Sequence, residues 1–250
     1  MDPERIITML DAPGLSGGMS RVDQIIMDAV GSGMEGFLMR RIESGKRLRP
    51  ILLILAAGAQ SRTPVLRAAA AIELVHQASK MHDDVLDKDT SETARYLLGG
   101  DLLLGSAMAI GAGQGRQTAQ VLADTVALMI EGEFRQAGLK TGFLPDDSAY
   151  LEVCRLKTGS LFSAAAIIGG RLAKREEDQI GHLAEFGQKY GQAYQILDDI
   201  KDGEFKAGQL RPARDQAVRL HKAAIEALNG LPDTQEYLKR FAGITLPGLS

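Results

Sequence analysis

Apolar residues recur at helical spacing along nearly the whole chain, and this pattern constrains the fold more than any other feature. The alternating apolar and polar runs that indicate strands are almost absent. Prolines at first-turn positions, as in Thr63-Pro64 and Leu231-Pro232, mark helix starts. We predict helices at residues 20–41, 50–60, 64–88, 98–111, 116–137, 147–169, 175–201, 212–229 and 232–242.

The connections between these helices are short, and no linker of low complexity separates two halves of the chain. The predicted breaks fall at 31–33, 58–63, 111–115, 138–145 and 203–212, and the first of these can equally be a kink. A length of 250 residues suits either one large domain or two small ones, and the lack of a linker favours one. We therefore predict an all-α protein with a single domain, residues 1–250, built of long antiparallel helices.

Composition excludes several classes of protein. A net charge of −3 argues against nucleic-acid binding through an overall positive charge. The single cysteine, Cys154, excludes an internal disulfide and suits a reducing compartment. No apolar run approaches the ~18 residues of a membrane span, and the first residues lack the basic start and apolar stretch of a secretory signal. We expect a cytoplasmic protein without a transmembrane segment and without a nucleic-acid partner.

Two segments share the pattern DDxxD, and both continue an apolar helix at its C-terminal end. Their aspartates are Asp83, Asp84 and Asp87 in the first segment and Asp198, Asp199 and Asp202 in the second. In each segment the first and last carboxylates are four residues apart and share a helical face. Negative charge is unfavourable at a helix C-terminus, and bound cations would relieve it.

One such segment is as well explained by a solvated acidic helix end, but two copies favour a metal site. Oxygen ligands suit Mg²⁺, which keeps several waters and completes its shell with phosphate oxygens. Facing carboxylates would repel each other unless cations and a diphosphate lay between them. The pair His82-Asp83 is also typical of metal-dependent phosphohydrolases, but the first histidine of the chain, His76, is too close in sequence to complete such a site.

A compact basic segment, residues 44–50, precedes an apolar helix. Clustered cations are usually a solvated surface, but backbone N–H groups at a helix N-terminus favour an anion. Lys46 and Arg49 therefore suit a diphosphate. Lys157 and Thr158 place another cation and a hydroxyl in the middle of a predicted helix, and alone they would carry no argument.

Together these segments resemble the trans-isoprenyl diphosphate synthase (polyprenyl synthetase) family, from about residue 20 to residue 202. The matching pieces are GKRLRP at 45–50, ELVHQASKMHDDVLD at 73–87, GGDLLL at 99–104, EGEFRQ at 131–136, KTGSLF at 157–162 and YGQAYQILDDIKD at 190–202. The resemblance implies the isoprenoid synthase fold, an all-α bundle around a central cavity, usually in a homodimer. It implies a trans-prenyltransferase that joins isopentenyl diphosphate to an allylic diphosphate head to tail.

The resemblance also implies residue roles. The six aspartates would surround Mg²⁺ and the allylic diphosphate. The other implied contacts are Lys157, Thr158 and Gln195 for the allylic substrate, and Lys46, Arg49 and His76 for isopentenyl diphosphate. Arg95 would stand for one of the paired arginines that follow the first aspartate segment in the family.

The chain is shorter than the family pattern at two places. Near 95–96 it lacks a loop that precedes Gly-Gly-Asp, and at 203–212 it lacks a lysine-bearing loop and further helices. We favour the interpretation that residues are missing from this sequence over the interpretation that they are true deletions, because both flanks match the family.

Product length is expected to depend on the helix of the first aspartate segment. Ala78 precedes Asp83 by five residues, about 7.5 Å along a helix, and Ser79 follows it. Small side chains there either leave the cavity floor open or merely allow close helix packing. Since EGEFRQ also resembles longer-chain members, we predict products of about twenty carbons or more.

Two alternatives stay open. A terpene cyclase would ionise a diphosphate but would not need the basic segment at 44–50. A non-catalytic or partner-dependent subunit would typically have degraded aspartate segments, and both are intact here.

Overall fold

In the computed structural model, the described residues are 2–31, 36, 45–87, 92–138, 148–231 and 234–249, with Asp87 described by its backbone alone. These ranges contain helices and no strand. The helices are α1 Pro3–Leu10, α2 Leu15–Val30, α3 Leu48–Ala56, α4 Thr63–Asp87, α5 Thr93–Ala112, α6 Arg116–Gly138, α7 Ser148–Cys154, α8 Ser160–Leu172, α9 Glu177–Asp202, α10 Leu210–Ala227 and α11 Gln235–Thr245. A π-helical turn, Arg155–Gly159, joins α7 to α8, and 3₁₀ turns at Ala207–Gln209 and Leu228–Gly230 flank α10.

The all-α prediction is confirmed, and most predicted helix ends match within a few residues. The helix predicted at 50–60 ends at Ala56, and the one predicted at 147–169 is divided by the π-helical turn into α7 and α8. The first predicted helix begins at Leu15, five residues before its predicted start. The first predicted helix ends at Val30, because Gly31 adopts a φ of 69°, and residues 32–35 and 37–41 of that prediction lie outside the described residues. Helix α5 begins five residues earlier than predicted, at Thr93. The helix predicted from 232 begins at Gln235, and 232–233 also lie outside the described residues.

Helix α1 was not predicted, although its start carries clear signals. The side chain of Asp2 accepts a hydrogen bond from the backbone N–H of Arg5 at 3.0 Å, and Pro3 occupies the first helical position. Ile6 and Leu10, one turn apart, are buried. The helix is short, and so two apolar residues are too few for a periodic pattern.

The long helices α4 and α9 carry the two aspartate segments, and α8 packs between them and α3. Glycines let α9 approach both α8 and the π-helical turn backbone to backbone. A Cβ at Gly187 would lie 2.6 Å from the carbonyl oxygen of Phe162, and one at Gly191 would lie 2.8 Å from the Cα of Gly159. The buried apolar side chains of the described helices form one core. Within the described ranges, none of these helices combines the length and apolar character needed to cross a bilayer.

Candidate active site

The π-helical turn places Lys157 and Thr158 on the inner side of the bundle. Its defining bond runs from the N–H of Ser160 to the carbonyl of Arg155, five residues back. Such a turn inserts one residue into a helix and redirects the side chains around it, and it is frequent at functional sites. The turn was not predicted from the sequence, which only indicated a continuous helix there.

A cavity of 670 Å³ lies between α3, α4, α6, α9 and this turn. Eight predicted site residues line it: Arg49, His76, Ser79, Asp83, Lys157, Thr158, Gln195 and Asp198. Leu86, Ile130 and Phe134 supply exposed apolar side chains to the same wall. The cavity therefore combines carboxylates, cations and apolar surface. A second groove, 780 Å³ in volume, lies beside α1 and contains no predicted site residue.

Two cations of the basic segment reach the cavity by different routes. Lys46 donates a hydrogen bond to the hydroxyl of Tyr194, which lines the cavity, at 3.0 Å. Burial lowers the pKa of Lys46, whereas Tyr194 and the carboxylates of Asp198 and Asp202 raise it. The raising effects together are larger, so that the pKa lies above its ordinary value. The amine is therefore protonated.

Arg49 is half-buried in the cavity wall. Its guanidinium carbon lies 4.4 Å from the centre of the Phe162 ring, a cation–π contact. Its Nε is buried and has no hydrogen-bond partner among the described residues. Burial lowers the pKa of this arginine, and Glu73 and Tyr194 oppose that change. A buried cation with an unused donor fits an anionic ligand.

His76 lies near these cations and is neutral at pH 7. Burial lowers its pKa well below the ordinary value, and Arg49 and Lys80 lower it further. A neutral imidazole can donate one hydrogen bond without adding charge.

Lys157 is already held by the helix opposite. Its Nζ lies 2.6 Å from the Oε1 of Glu133 and donates to the Oε1 of Gln136 at 2.8 Å. The approach is close because α6 carries a glycine there: a Cβ at Gly132 would lie 2.7 Å from the Cγ of Lys157. The segments EGEFRQ and KTGSLF therefore meet in space.

Thr158 begins a chain of hydrogen bonds that leads away from the cavity. Its hydroxyl donates to the Oε1 of Gln195 at 2.6 Å. The Nε2 of Gln195 donates to the Oδ1 of Asp199 at 2.7 Å, and the hydroxyl of Tyr150 donates to the Oδ2 of Asp199 at 2.5 Å. Burial raises the pKa of Asp199, although these two hydrogen bonds oppose the change.

The aspartates divide into several groups. Asp83 and Asp198 line the cavity, whereas Asp199 does not. Asp84 is half-buried beside the cavity residues, and Asp202 is exposed at the end of α9. The side chain of Asp87 lies outside the described part of the structure. Among the described residues, no three His, Cys, Asp or Glu side chains form a group that could hold a metal ion by themselves.

Two further predicted site residues, Arg95 and Ala78, are not brought to this cavity either. Arg95 is half-exposed on the first turn of α5, where its Nη1 lies 3.1 Å from the Oε1 of Glu92. The earlier start of α5 makes it part of a helix instead of a loop that can fold over the site. Ala78 is buried in the core with 2% of its surface exposed and does not line the cavity, in contrast to the neighbouring Ser79.

Three relevant residues were missed. Tyr194 and Glu133 lie within the matching pieces, but nothing in their residue types distinguishes a cavity side chain from a packed one. Arg47, the third cation of the basic segment, is buried and forms ion pairs with Asp23 and Glu73. These ion pairs anchor the basic segment to α2 and α4, and Arg47 does not line the cavity.

The fold and the cavity define an α-helical protein whose central cavity is lined by carboxylates of α4 and α9 and by cations of α3 and the π-helical turn. The model of the polyprenyl synthetase family matches residues 35–215. The chain belongs to the polyprenyl synthetase family, as its motifs predict.

Curated relatives agree with this assignment. The chain is 32% identical over 209 residues to nonaprenyl diphosphate synthase of Mycobacterium tuberculosis. The aligned segment covers 76% of this chain and 62% of the relative. The chain is 34% identical over 177 residues to a geranylgeranyl diphosphate synthase of Methanosarcina mazei, with 63% and 55% covered. It is also 34% identical over 174 residues to heptaprenyl diphosphate synthase component 2 of Geobacillus stearothermophilus, with 63% and 54% covered. The chain thus spans between 54% and 62% of the length of these relatives.

Solved structures show the same fold. A decaprenyl diphosphate synthase from Rhodobacter capsulatus superimposes with a TM-score of 0.85 at 24% identity, covering 99% of both chains. A polyprenyl synthase from Caulobacter crescentus CB15, complexed with calcium and isoprenyl diphosphate, gives a TM-score of 0.85 at 23% identity, covering 98% of this chain and 99% of that one. The predicted isoprenoid synthase fold is therefore confirmed.

Proposed function

We propose that this protein is a trans-prenyltransferase that joins isopentenyl diphosphate to an allylic diphosphate head to tail. One observation carries the proposal: a single cavity is lined by carboxylates from both aspartate segments, Asp83 and Asp198, and by cations from two other elements, Arg49 and Lys157. Such a cavity offers separate places for two diphosphates. A terpene cyclase would need only one of them.

The residues present fit Mg²⁺. The donors are hard carboxylate oxygens on two helices that face one cavity. Mg²⁺ is usually held by one or two protein carboxylates together with waters and substrate phosphates, and the cavity offers two such carboxylates, one from each aspartate segment. Asp83 and Asp198 would hold it, with Asp84 and Asp202 on the same two helices, and the metal role of Asp87 stays a prediction from the sequence. When bound, Mg²⁺ supplies charge neutralisation for the departing diphosphate.

Several residues of the chain would act on the allylic substrate. Lys157, already oriented by Glu133 and Gln136, contributes a fixed positive charge where the leaving diphosphate becomes more negative. Thr158 and Gln195 line the same wall and offer polar contacts. Phe134 and Ile130 would offer apolar surface to the hydrocarbon chain of the allylic substrate.

The second substrate would be held from the opposite wall. Lys46 and Arg49 suit its diphosphate, and the neutral His76 can donate one further hydrogen bond. Fixing this diphosphate places the isopentenyl double bond near the allylic carbon, which makes the encounter effectively intramolecular. The final proton can leave to the released diphosphate, a weak base already in the site.

We further propose a product of about twenty carbons or more, because relatives named for geranylgeranyl and nonaprenyl products bracket that range. A single-domain, cytoplasmic homodimer is the expected assembly. Partner dependence is a second candidate, because one relative is named as component 2 of a heptaprenyl diphosphate synthase.

The test of this proposal is a comparison of Arg49→Ala with Lys157→Ala in two-substrate kinetics. Arg49→Ala is expected to raise KM for isopentenyl diphosphate about tenfold or more, with a small effect on KM for the allylic primer. Lys157→Ala should lower kcat and spare KM for isopentenyl diphosphate. If each variant affected both substrates equally, two separate diphosphate sites would be refuted.

A further inference from the structure

Asp199 differs from its neighbour Asp198 in where its carboxylate lies. Asp198 and Asp202 are four residues apart and share the cavity face of α9, whereas Asp199 is turned about 100° around the helix. Both of its oxygens accept hydrogen bonds from protein groups, Oδ2 from Tyr150 and Oδ1 from Gln195. Asp198 lines the cavity and Asp199 does not.

The bonds continue from Asp199 to the cavity wall. Because Oδ1 of Asp199 accepts, the amide nitrogen of Gln195 must point toward it. The amide oxygen then points the other way, where it accepts from the hydroxyl of Thr158 at 2.6 Å. The orientation of two cavity residues, Gln195 and Thr158, therefore depends on the carboxylate of Asp199.

Tyr150 fixes the far side of this carboxylate. It is a buried residue of α7, 3% exposed, and its ring packs edge-on against Phe205 at a centroid distance of 5.6 Å. The ring is held by packing, and its hydroxyl donates to Oδ2 of Asp199 while the thiol of Cys154 also lies within its hydrogen-bonding reach. Three hydrogen bonds thus connect α7, α9 and the π-helical turn.

We propose that Asp199 is a positioning residue instead of a metal ligand, and that Tyr150 and Asp199 together orient Gln195 and Thr158 toward the allylic substrate. This inference rests on the proposed function. It replaces the role that the family resemblance implies for Asp199, since that role requires a carboxylate that faces the cavity.

A metal-binding experiment distinguishes the roles of Asp198 and Asp199 and does not depend on turnover. Mn²⁺ is titrated into the protein in the presence of inorganic diphosphate and followed by electron paramagnetic resonance. Asp198→Asn is expected to weaken Mn²⁺ binding about tenfold or more, and Asp199→Asn to leave it within about twofold of the wild type. Equal losses in the two variants would overturn this inference alone. A wild-type protein that binds no Mn²⁺ would overturn the proposed function and this inference with it.

Kinetics of Tyr150→Phe test the positioning role. The substitution removes one hydroxyl and keeps the ring that packs on Phe205. It is expected to lower kcat about tenfold while Mn²⁺ affinity stays unchanged. Tyr190→Phe is the matched control, because it removes a buried hydroxyl that is bonded to Thr245 outside this chain of bonds, and its kcat should equal that of the wild type.

A double variant shows whether Tyr150 acts through Asp199. If it does, Tyr150→Phe combined with Asp199→Asn will be no slower than Asp199→Asn alone. Losses that multiply, or a Tyr150→Phe variant with wild-type kcat, would contradict the proposal. Far-UV circular dichroism melts of each variant establish that the compared proteins are folded.

Discussion

At the scale of single residues, Tyr194 connects the basic segment to the cavity. Its hydroxyl holds the amine of Lys46, whose flexible stem would otherwise sample many positions. We expect Tyr194→Phe to raise KM for isopentenyl diphosphate about three- to tenfold, because the cation is no longer preorganised. KM for the allylic primer should not change. Tyr190→Phe, one turn earlier on α9, is the control, and an equal rise there would show that the effect is not specific to Lys46.

The carboxylates that line the cavity should matter for turnover and little for folding. Asp198→Ala is expected to lower kcat about a hundredfold or more, because a charge-neutralising metal site contributes several kcal/mol to the transition state. In the absence of divalent cations its Tm should equal or exceed that of the wild type, since a negative charge leaves the C-terminal end of α9. Asp83→Ala should lower kcat similarly. Near-normal rates in either variant would refute the metal assignment.

Residue types and spacing predicted much of the site. Arg49, His76, Asp83, Lys157 and Asp198 all line one cavity although they come from four separate parts of the chain. The orientation of Asp199 could not be predicted, because it depends on Tyr150, which is 49 positions away in sequence. A periodic pattern assigns a helix face and does not identify the partner that a side chain meets across the interior.

At the scale of the elements, the contact of α6 with the π-helical turn needs a glycine. A Cβ at Gly132 would lie 2.9 Å from the Cβ of Leu156 and 3.0 Å from the backbone nitrogen of Lys157. We expect Gly132→Ala to destabilise the protein by about 1–3 kcal/mol through overpacking. It should also lower kcat, because Lys157 must move.

The control for this change is Gly105→Ala on α5. Its added Cβ would meet nothing within 4 Å. The higher helix propensity of alanine should leave stability unchanged or raise it by up to about 1 kcal/mol. Urea denaturation and steady-state rates of the two variants decide the matter. A Gly132→Ala protein as stable and active as Gly105→Ala would show that this close contact has no importance.

Helices were predictable wherever many apolar residues repeat at the same spacing. Helices α4, α6 and α9 are long, and their predicted bounds differ from the observed ones by at most two residues. The short α1 was missed, and the π-helical turn at Arg155–Gly159 left no trace in the sequence pattern, because one inserted residue changes the spacing too little to detect. It forms where the turn packs against Gly132.

At the scale of the whole molecule, the cavity floor should set product length. The expectation placed on Ala78 stays a prediction: Ala78→Phe should shorten the products without affecting the first condensation. Because Ala78 is buried in the core, its variant also requires a check of folding by circular dichroism. Ser79→Phe places a ring directly in the cavity wall and should act in the same direction. Thin-layer chromatography of dephosphorylated products is the measurement, and unchanged products in both folded variants would refute an open floor.

The family and the fold followed from the sequence because the motifs lie on a few long helices. The pairing of those helices, and so the cavity, required the structure. Glycines such as Gly187 and Gly191 allow α8 and α9 to approach closely, and no local pattern states which helix they approach.

The central claim is that this chain by itself joins two diphosphate substrates. The most direct measurement is to incubate the purified protein with labelled isopentenyl diphosphate, Mg²⁺ and allylic primers of increasing length, and to separate the dephosphorylated products. The account predicts label in linear prenyl alcohols of about twenty carbons or more, and none when Mg²⁺ is removed by a chelator. Products that stop at fifteen carbons would contradict the proposed length. Absence of incorporation with every primer, or a cyclic product without label, would contradict the claim itself.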